Sequence, residues 1–136
     1  MRLIRVFCMV TILSIPTGCG VTLPITCSPS EHAAVVESLY FGIAKPEGIV
    51  TADEWDAFVG AVITPAFPDG LTTWAASGQW RMATGTIQKE PSHVLQLTHD
   101  GSQKNDTSIQ NIMKTYKNDF QQEAVMRVRS HACRSF

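Results

Sequence analysis

Apolar positions along the chain follow two different periods, and the switches between them mark the elements. Val35-Val36-Glu37-Ser38-Leu39-Tyr40-Phe41-Gly42 is rich in β-branched and aromatic residues and reads as a strand. Lys45-Pro46-Glu47-Gly48 ends it with turn chemistry. Trp55, Phe58, Val59, Val62 and Ile63 then fall on one face at helical spacing. Thr51-Ala52-Asp53-Glu54 before them is a capping box, the hydroxyl accepting from the backbone N–H three residues on while Glu54 reaches back. Pro65 lacks an N–H and disfavours helix at Thr64, so the helix is expected to end there.

Pro68-Asp69-Gly70 forms a turn, and Leu71 to Ser77 reads as a strand containing Trp74. Val94 to Thr98 carries a further strand. Between them lies Gly78 to Ser92, a long hairpin with Gly85 at its tip and Pro91 marking either a bulge or an edge; its register stays open. Ile109, Ile112, Met113, Tyr116 and Phe120 define a second amphipathic helix, capped by Asp100, Ser102 or Asp106. Glu123 to Val128 is the last strand. The order strand, helix, strand, strand, helix, strand is the split βαβ arrangement, an α+β ferredoxin-like fold. It has a four-stranded antiparallel sheet with two helices on one face, leaving the other face bare. Tyr40, Trp74 and Trp80 are the large side chains expected there. An apolar bare face marks an interface or a ligand groove, and stacking through the sheets predicts a homodimer.

The N-terminus has a different character. Met1-Arg2-Leu3-Ile4-Arg5 is basic, Val6 to Pro16 is apolar, and Thr17-Gly18-Cys19 supplies small residues. That is the layout of a secretory signal peptide, with an apolar run too short to span a bilayer. The expected organisation is a signal peptide over 1–18, a tether or extended arm over 19–34, and one α+β domain over 35–136. Gly18-Cys19 resembles the lipobox of bacterial lipoproteins, with Pro16 where such boxes usually carry Leu. Loss of Cys8 with the signal leaves Cys19, Cys27 and Cys133, an odd number for an oxidising compartment. Lipidation of Cys19 would leave Cys27 and Cys133 to pair. The expected location is therefore periplasmic or membrane-anchored through that lipid, with plain secretion as the alternative.

Composition narrows the function classes. Eleven Lys and Arg stand against twelve Asp and Glu, and Arg2 and Arg5 belong to the leader, so no basic field for nucleic acid exists. The four histidines show no metal-ligand spacing, and no Cys-x-x-Cys, P-loop, dinucleotide fingerprint or Gly-x-Ser-x-Gly is present. No metal and no cofactor is expected.

Leu39-Tyr40-Phe41-Gly42, Trp55, Phe58, Thr64-Pro65-Ala66-Phe67-Pro68-Asp69-Gly70-Leu71-Thr72, Gly78-Gln79-Trp80-Arg81, Glu90, Ser92, Val94 and the ending Cys133-Arg134-Ser135-Phe136 resemble a domain-of-unknown-function family of small exported bacterial proteins. Many of its members look like lipoproteins. The resemblance runs from about Ser38 to Phe136 and departs at Glu123-Ala124-Val125, where members tend to carry Glu-Ser-Val. It implies an exported location and gives no guide to activity.

Candidate site residues gather around the hairpin: Gln79, Trp80, Arg81, Glu90, Ser92 and His93, with Tyr40 and Trp74 on the strands. Two readings follow. In the first, the chain is a non-enzymatic envelope module that binds a small molecule or an envelope protein through the open sheet face and the 78–92 hairpin. In the second, it is a small enzyme of the dimeric ferredoxin-like-barrel kind, an isomerase or cofactor-free oxygenase. There Arg81 would hold an anionic group while Glu90 or His93 moves a proton. Against the second stands an Arg81–Glu90 cross-strand ion pair with His93 at the surface. An enclosed pocket shared by Arg81, Glu90 and His93 would favour the enzyme, and scattering would favour the module. Mass spectrometry of the mature N-terminus is expected to find lipid on Cys19; an unmodified residue there would contradict the anchor.

Overall fold

A computed structural model describes residues 26–136. The leader over 1–18 and the first part of the expected tether, 19–25 with Cys19, lie outside the described residues. Four strands, β1 (His32–Gly42), β4 (Thr72–Arg81), β5 (Ile87–His99) and β6 (Val125–Arg134), form one antiparallel sheet in the order β4-β5-β1-β6. A two-residue pair, β2 (Ala44–Lys45) with β3 (Gly48–Ile49), folds the expected turn into a miniature hairpin. The helical segments are α1 (Ala52–Phe58), a π-helical turn at Val59–Ile63, α2 (Thr64–Ala66) and α3 (Gln103–Asp119). This is the split βαβ topology, α+β with a four-stranded antiparallel sheet.

Residue parity assigns the faces. Directly paired residues in an antiparallel ladder share a face, and Thr73, Leu95, Leu39 and Arg127 form one row across the sheet. Leu39, Phe41, Leu95, Leu97 and Val125 pack on that face against Trp55, Phe58, Ile63, Ile109, Ile112 and Tyr116 in a single core. Helices therefore cover one face alone. Phe41, Trp55, Phe58 and Tyr116 form its aromatic centre, with ring centroids 4.6–6.3 Å apart, the range in which tilted rings attract.

Local chemistry fixes the helices. Thr51 and Glu54 form the expected capping box around α1, and Lys45 reaches Glu54 at 2.6 Å. Ser102, one of three candidate caps, accepts from the Asn105 N–H to start α3. Pro65, however, does not end the first helical run. The π-helical turn lets the Thr64 N–H reach back five residues to the Val59 carbonyl, and the wider turn opens room for the proline ring. Pro65 then occupies the start of a fresh turn, where its missing N–H costs nothing.

The first and last strands of the sheet in chain order are longer than the sequence pattern indicates. β1 begins at His32, inside the expected tether, and β6 runs to Arg134. The Cys27–Cys133 disulfide, with Cα atoms 5.6 Å apart, ties the segment before β1 to the end of β6. Gly85 takes a positive φ of 88° at the hairpin tip, where only glycine is comfortable. Pro91 sits just beyond the end of β1, whose last pair with β5 is Gly42–Ser92. Its carbonyl accepts from Ile43, so its ring nitrogen faces the same side, where β1 has run out and no donor is required. Pro91 is thus an edge position within an otherwise central strand.

One feature of the covered face has no precedent in the hydrophobic pattern. Glu37 is wholly buried, and Arg127 grips it through two hydrogen bonds of 2.8 and 2.6 Å. Arg127 also bonds Asp106 on α3 at 2.8 Å, and Arg129 lies 3.5 Å from Glu37 and 3.6 Å from Asp106. Two carboxylates and two guanidiniums thus balance between the sheet and the start of α3. His99 adds its Nε2 at 3.6 Å from Glu37 while its Nδ1 accepts from the Gly101 N–H. Removing one member of a buried ion pair strands its partner. Glu37→Ala is expected to destabilise the fold by about 3–5 kcal/mol in urea titrations. Adding Arg127→Leu to that variant should recover part of the loss; a loss under about 1 kcal/mol in the single variant would contradict the pairing.

Candidate functional site

The bare face carries Val36, Ser38, Tyr40, Trp74, Trp80, Val94, Met126 and Val128, by the same parity that places the core on the other side. Trp74 is 43% exposed, Trp80 52%, Met126 56% and Val128 47%. Val94 is buried on this same face, between its cross-strand neighbours Tyr40 and Trp74. An apolar stripe therefore crosses all four strands on the side that faces water.

The sheet is not rectangular, and its shape makes the site. β4 and β5 continue past Gly42, where β1 ends, so the 77–91 part of the hairpin overhangs the sheet. A notch results, with Tyr40 and Gly42 as floor, Gly78, Gln79, Trp80, Glu90 and Ser92 along the hairpin, and Ala124 and Met126 on the opposite rim. Its volume is about 460 Å³, within the range of small-molecule sites. Glu90 is the one charged side chain among its lining residues.

The floor is held from beneath. The Tyr116 hydroxyl, buried in the core, donates to the Gly42 carbonyl at 2.9 Å. Burial holds that phenol protonated, its pKa raised well above the usual range, with the Glu54 charge acting in the same direction. On the upper side, a Cβ at Gly42 would lie 2.8 Å from Glu90 Oε1 and 3.1 Å from Gln122 Oε1. Glycine at this position therefore lets two side-chain oxygens close over the backbone.

Of the candidates expected from sequence, Tyr40, Gln79, Trp80, Glu90 and Ser92 line the notch together, and Trp74 lies on the same face beyond it. Arg81 and His93 are elsewhere. Arg81 pairs with Ile87 at the exposed hairpin tip and makes no ion pair among the described residues, so the cross-strand Arg81–Glu90 bridge is not formed. Glu90 pairs with Gly78 instead. His93 has the opposite parity and stacks on Trp55 at 4.4 Å with the rings 4° from parallel. Arg81, Glu90 and His93 are scattered rather than gathered in one pocket. A three-residue offset between Arg81 and Gly78 separates the arginine from Glu90, and one step of strand parity sends His93 under α1. Gly42, Gln122, Ala124 and Met126 were not singled out from sequence. The alternation of β6 would have found Met126 once its pairing with Tyr40 was known.

A second hollow, about 380 Å³, lies at the far end of the bare face. There Asp69, Gly70, Leu71 and Thr72 meet Gln96, Thr98, Arg134 and Phe136, so two of the stretches quoted for the family resemblance are neighbours in space. Among the described residues no cluster of three or more His, Cys, Asp or Glu could hold a metal, and no helix is long and apolar enough to cross a membrane.

Residues 36–136 match the family described as "Protein of unknown function (DUF3574)", and the chain belongs to it. No curated protein matches. Among solved structures, the chain is similar to a phage SAM lyase in complex with S-methyl-5'-thioadenosine, with a TM-score of 0.53 and 14% identity over 85% of this chain and 97% of that one. The same lyase in its apo state gives 0.51 and 15%, over 84% and 97%. These likenesses establish the fold.

The placement of His93 has a consequence for stability. Burial under Trp55 lowers its pKa from the ordinary 6.5, opposed by the Asp56 charge. The unfolded chain then binds the proton more readily, so this contribution to stability is complete above the unfolded value and is lost as pH falls through it. Melting curves should show wild type losing more stability than His93→Gln between about pH 7.5 and 5.5. Parallel pH profiles for the two proteins would contradict the assignment.

Proposed function

We propose that this is an exported envelope protein that works as a non-enzymatic binding module, taking a small ligand in the notch between Tyr40, Trp80, Glu90 and Met126. The observation that carries the reading is the bare sheet face with an overhanging hairpin: the exposed Trp80, the half-buried Tyr40, a thioether and one carboxylate converge on a single concavity. Exposed apolar surface of this kind costs solubility unless something binds it. Export is supported by the leader pattern in Met1 to Cys19 and by the Cys27–Cys133 disulfide, since such bridges persist in oxidising compartments. The likeness to the phage SAM lyase is one of fold and assigns no lyase chemistry to this chain.

A second reading concerns assembly and rests on the part of the face outside the notch. Trp74 and Val128 are exposed there and do not line it. Four strands of ten or more residues present on the order of 600 Å², close to the per-partner area of a small specific interface. That supports a homodimer stacked sheet to sheet, with the notch between the two copies.

A thermal-shift screen of small molecules should give hits whose stabilisation vanishes in Trp80→Ala and survives in Arg81→Ala. An unchanged response in Trp80→Ala would remove the notch as the site. Light scattering at micromolar concentration is expected to report twice the monomer mass; a monomer there would overturn the stacked pair.

A further inference from the structure

Resting on the notch as the binding site, we infer that its ligand is an organic ammonium: a cationic, N–H-donating head seated over Gly42 with an aromatic body lying along Trp80 and Tyr40.

Three features at the floor lead there. First, Glu90 is the sole charge of the notch and has no cation within ion-pair distance among the described residues. Second, Gln122 is locked in one orientation. Its amide nitrogen donates to the carbonyls of Ala44 and Phe120, which fixes its oxygen toward Gly42 as an acceptor. Third, Glu90 Oε1 and Gln122 Oε1 each lie about 3 Å from the same point above the Gly42 backbone, and among the described residues no side-chain donor bonds either oxygen. Glu90 is exposed and Gln122 half-buried, so a ligand here replaces water, and the one best matched to two convergent acceptors donates to both. A primary ammonium carries three N–H donors and one positive charge, and so satisfies both oxygens at once.

The walls agree with that head group. Trp80 and Tyr40 present aromatic surface and Met126 a polarisable thioether. The negative faces of aromatic rings attract cations, most strongly where the rings are Trp or Tyr. Among the described residues no Lys or Arg lines the notch, and Lys45, on the adjoining hollow that Glu90 and Gln122 also line, is paired with Glu54. Gly78, opposite Glu90, contributes no side chain, which leaves the approach to the carboxylate open.

The matched series tryptamine, tryptophol and indole-3-propionate tests the inference, since the three share an aromatic body and differ in the charge of the head. Binding is followed by residue-resolved NMR at Tyr40, Trp80 and Met126, in wild type, Glu90→Gln and Gly42→Ala, with melting temperatures to establish that each variant folds. Tryptamine is expected to shift the notch residues and to bind at least about tenfold more tightly than tryptophol, with indole-3-propionate weakest. Glu90→Gln should weaken tryptamine by about tenfold and leave tryptophol nearly unchanged. Gly42→Ala, which keeps the charge but displaces both oxygens, should weaken tryptamine as well. Tryptophol binding in the notch as tightly as tryptamine, with Glu90→Gln indifferent, would overturn the ammonium and leave the notch standing. No response at Tyr40, Trp80 and Met126 from any of the three would overturn both.

Discussion

Two helical segments cannot cover two faces of a sheet. Every feature of this molecule that bears on function descends from that restriction. α3 and the α1 to α2 run lie side by side on one face, where they bury the aromatic centre of Phe41, Trp55, Phe58 and Tyr116. The opposite face receives no element of the described chain, yet it carries Tyr40, Trp74, Trp80, Met126 and Val128 in place of the polar residues that a solvated face usually shows. Alternation along each strand does the sorting: from Val35 to Phe41 the odd positions of β1 enter the core and the even ones lie on the bare face. A one-residue slip of β1 would exchange Leu39 and Phe41 for Ser38 and Tyr40, so the core itself holds the bare face in register.

The covered side also explains why the site is rigid. Its floor is the last residue of β1, and the Tyr116 hydroxyl fixes that residue's carbonyl from inside the core. Its hairpin wall continues β5, whose inner half packs Leu95 and Leu97 into the same core. Midway along β1, Glu37 with Arg127 and Asp106 clamps the sheet to the start of α3. The Cys27–Cys133 bridge secures the edge formed by β6. Charges that would be costly alone are tolerated because each finds an opposite partner at hydrogen-bond distance. The notch therefore sits on elements that are fixed at both ends, as a preformed binding site requires.

Much of this was legible in the sequence, and the parts that were not share a cause. Helical spacing in Trp55 to Ile63 and Ile109 to Phe120, the Thr51–Glu54 box and the cysteine count are local or countable signals, and they gave both helices and the disulfide. The same local logic placed Tyr40, Trp74 and Trp80 together on the uncovered side. Register is not local. Whether Arg81 faces Glu90 or Ile87 depends on how many residues the hairpin tip consumes, and nothing in Met82 to Thr86 states that number. His93 looked like a hairpin residue because its cover, Trp55, comes from a helix 38 positions earlier in the chain. Glu37 was invisible for the related reason that its partners, Arg127 and Arg129, lie far along the sequence. Pro65 misled because a π-helical turn, which periodicity does not announce, opens the space that a regular α-helix would deny it.

Crystallographic fragment screening addresses the central claim most directly, since it asks the molecule where it binds without presuming a ligand. The account predicts that fragments accumulate over Gly42, against Trp80 and Tyr40, on the face without helices. Fragments settling on the helical face or along the loops, with that notch left empty across the screen, would contradict it.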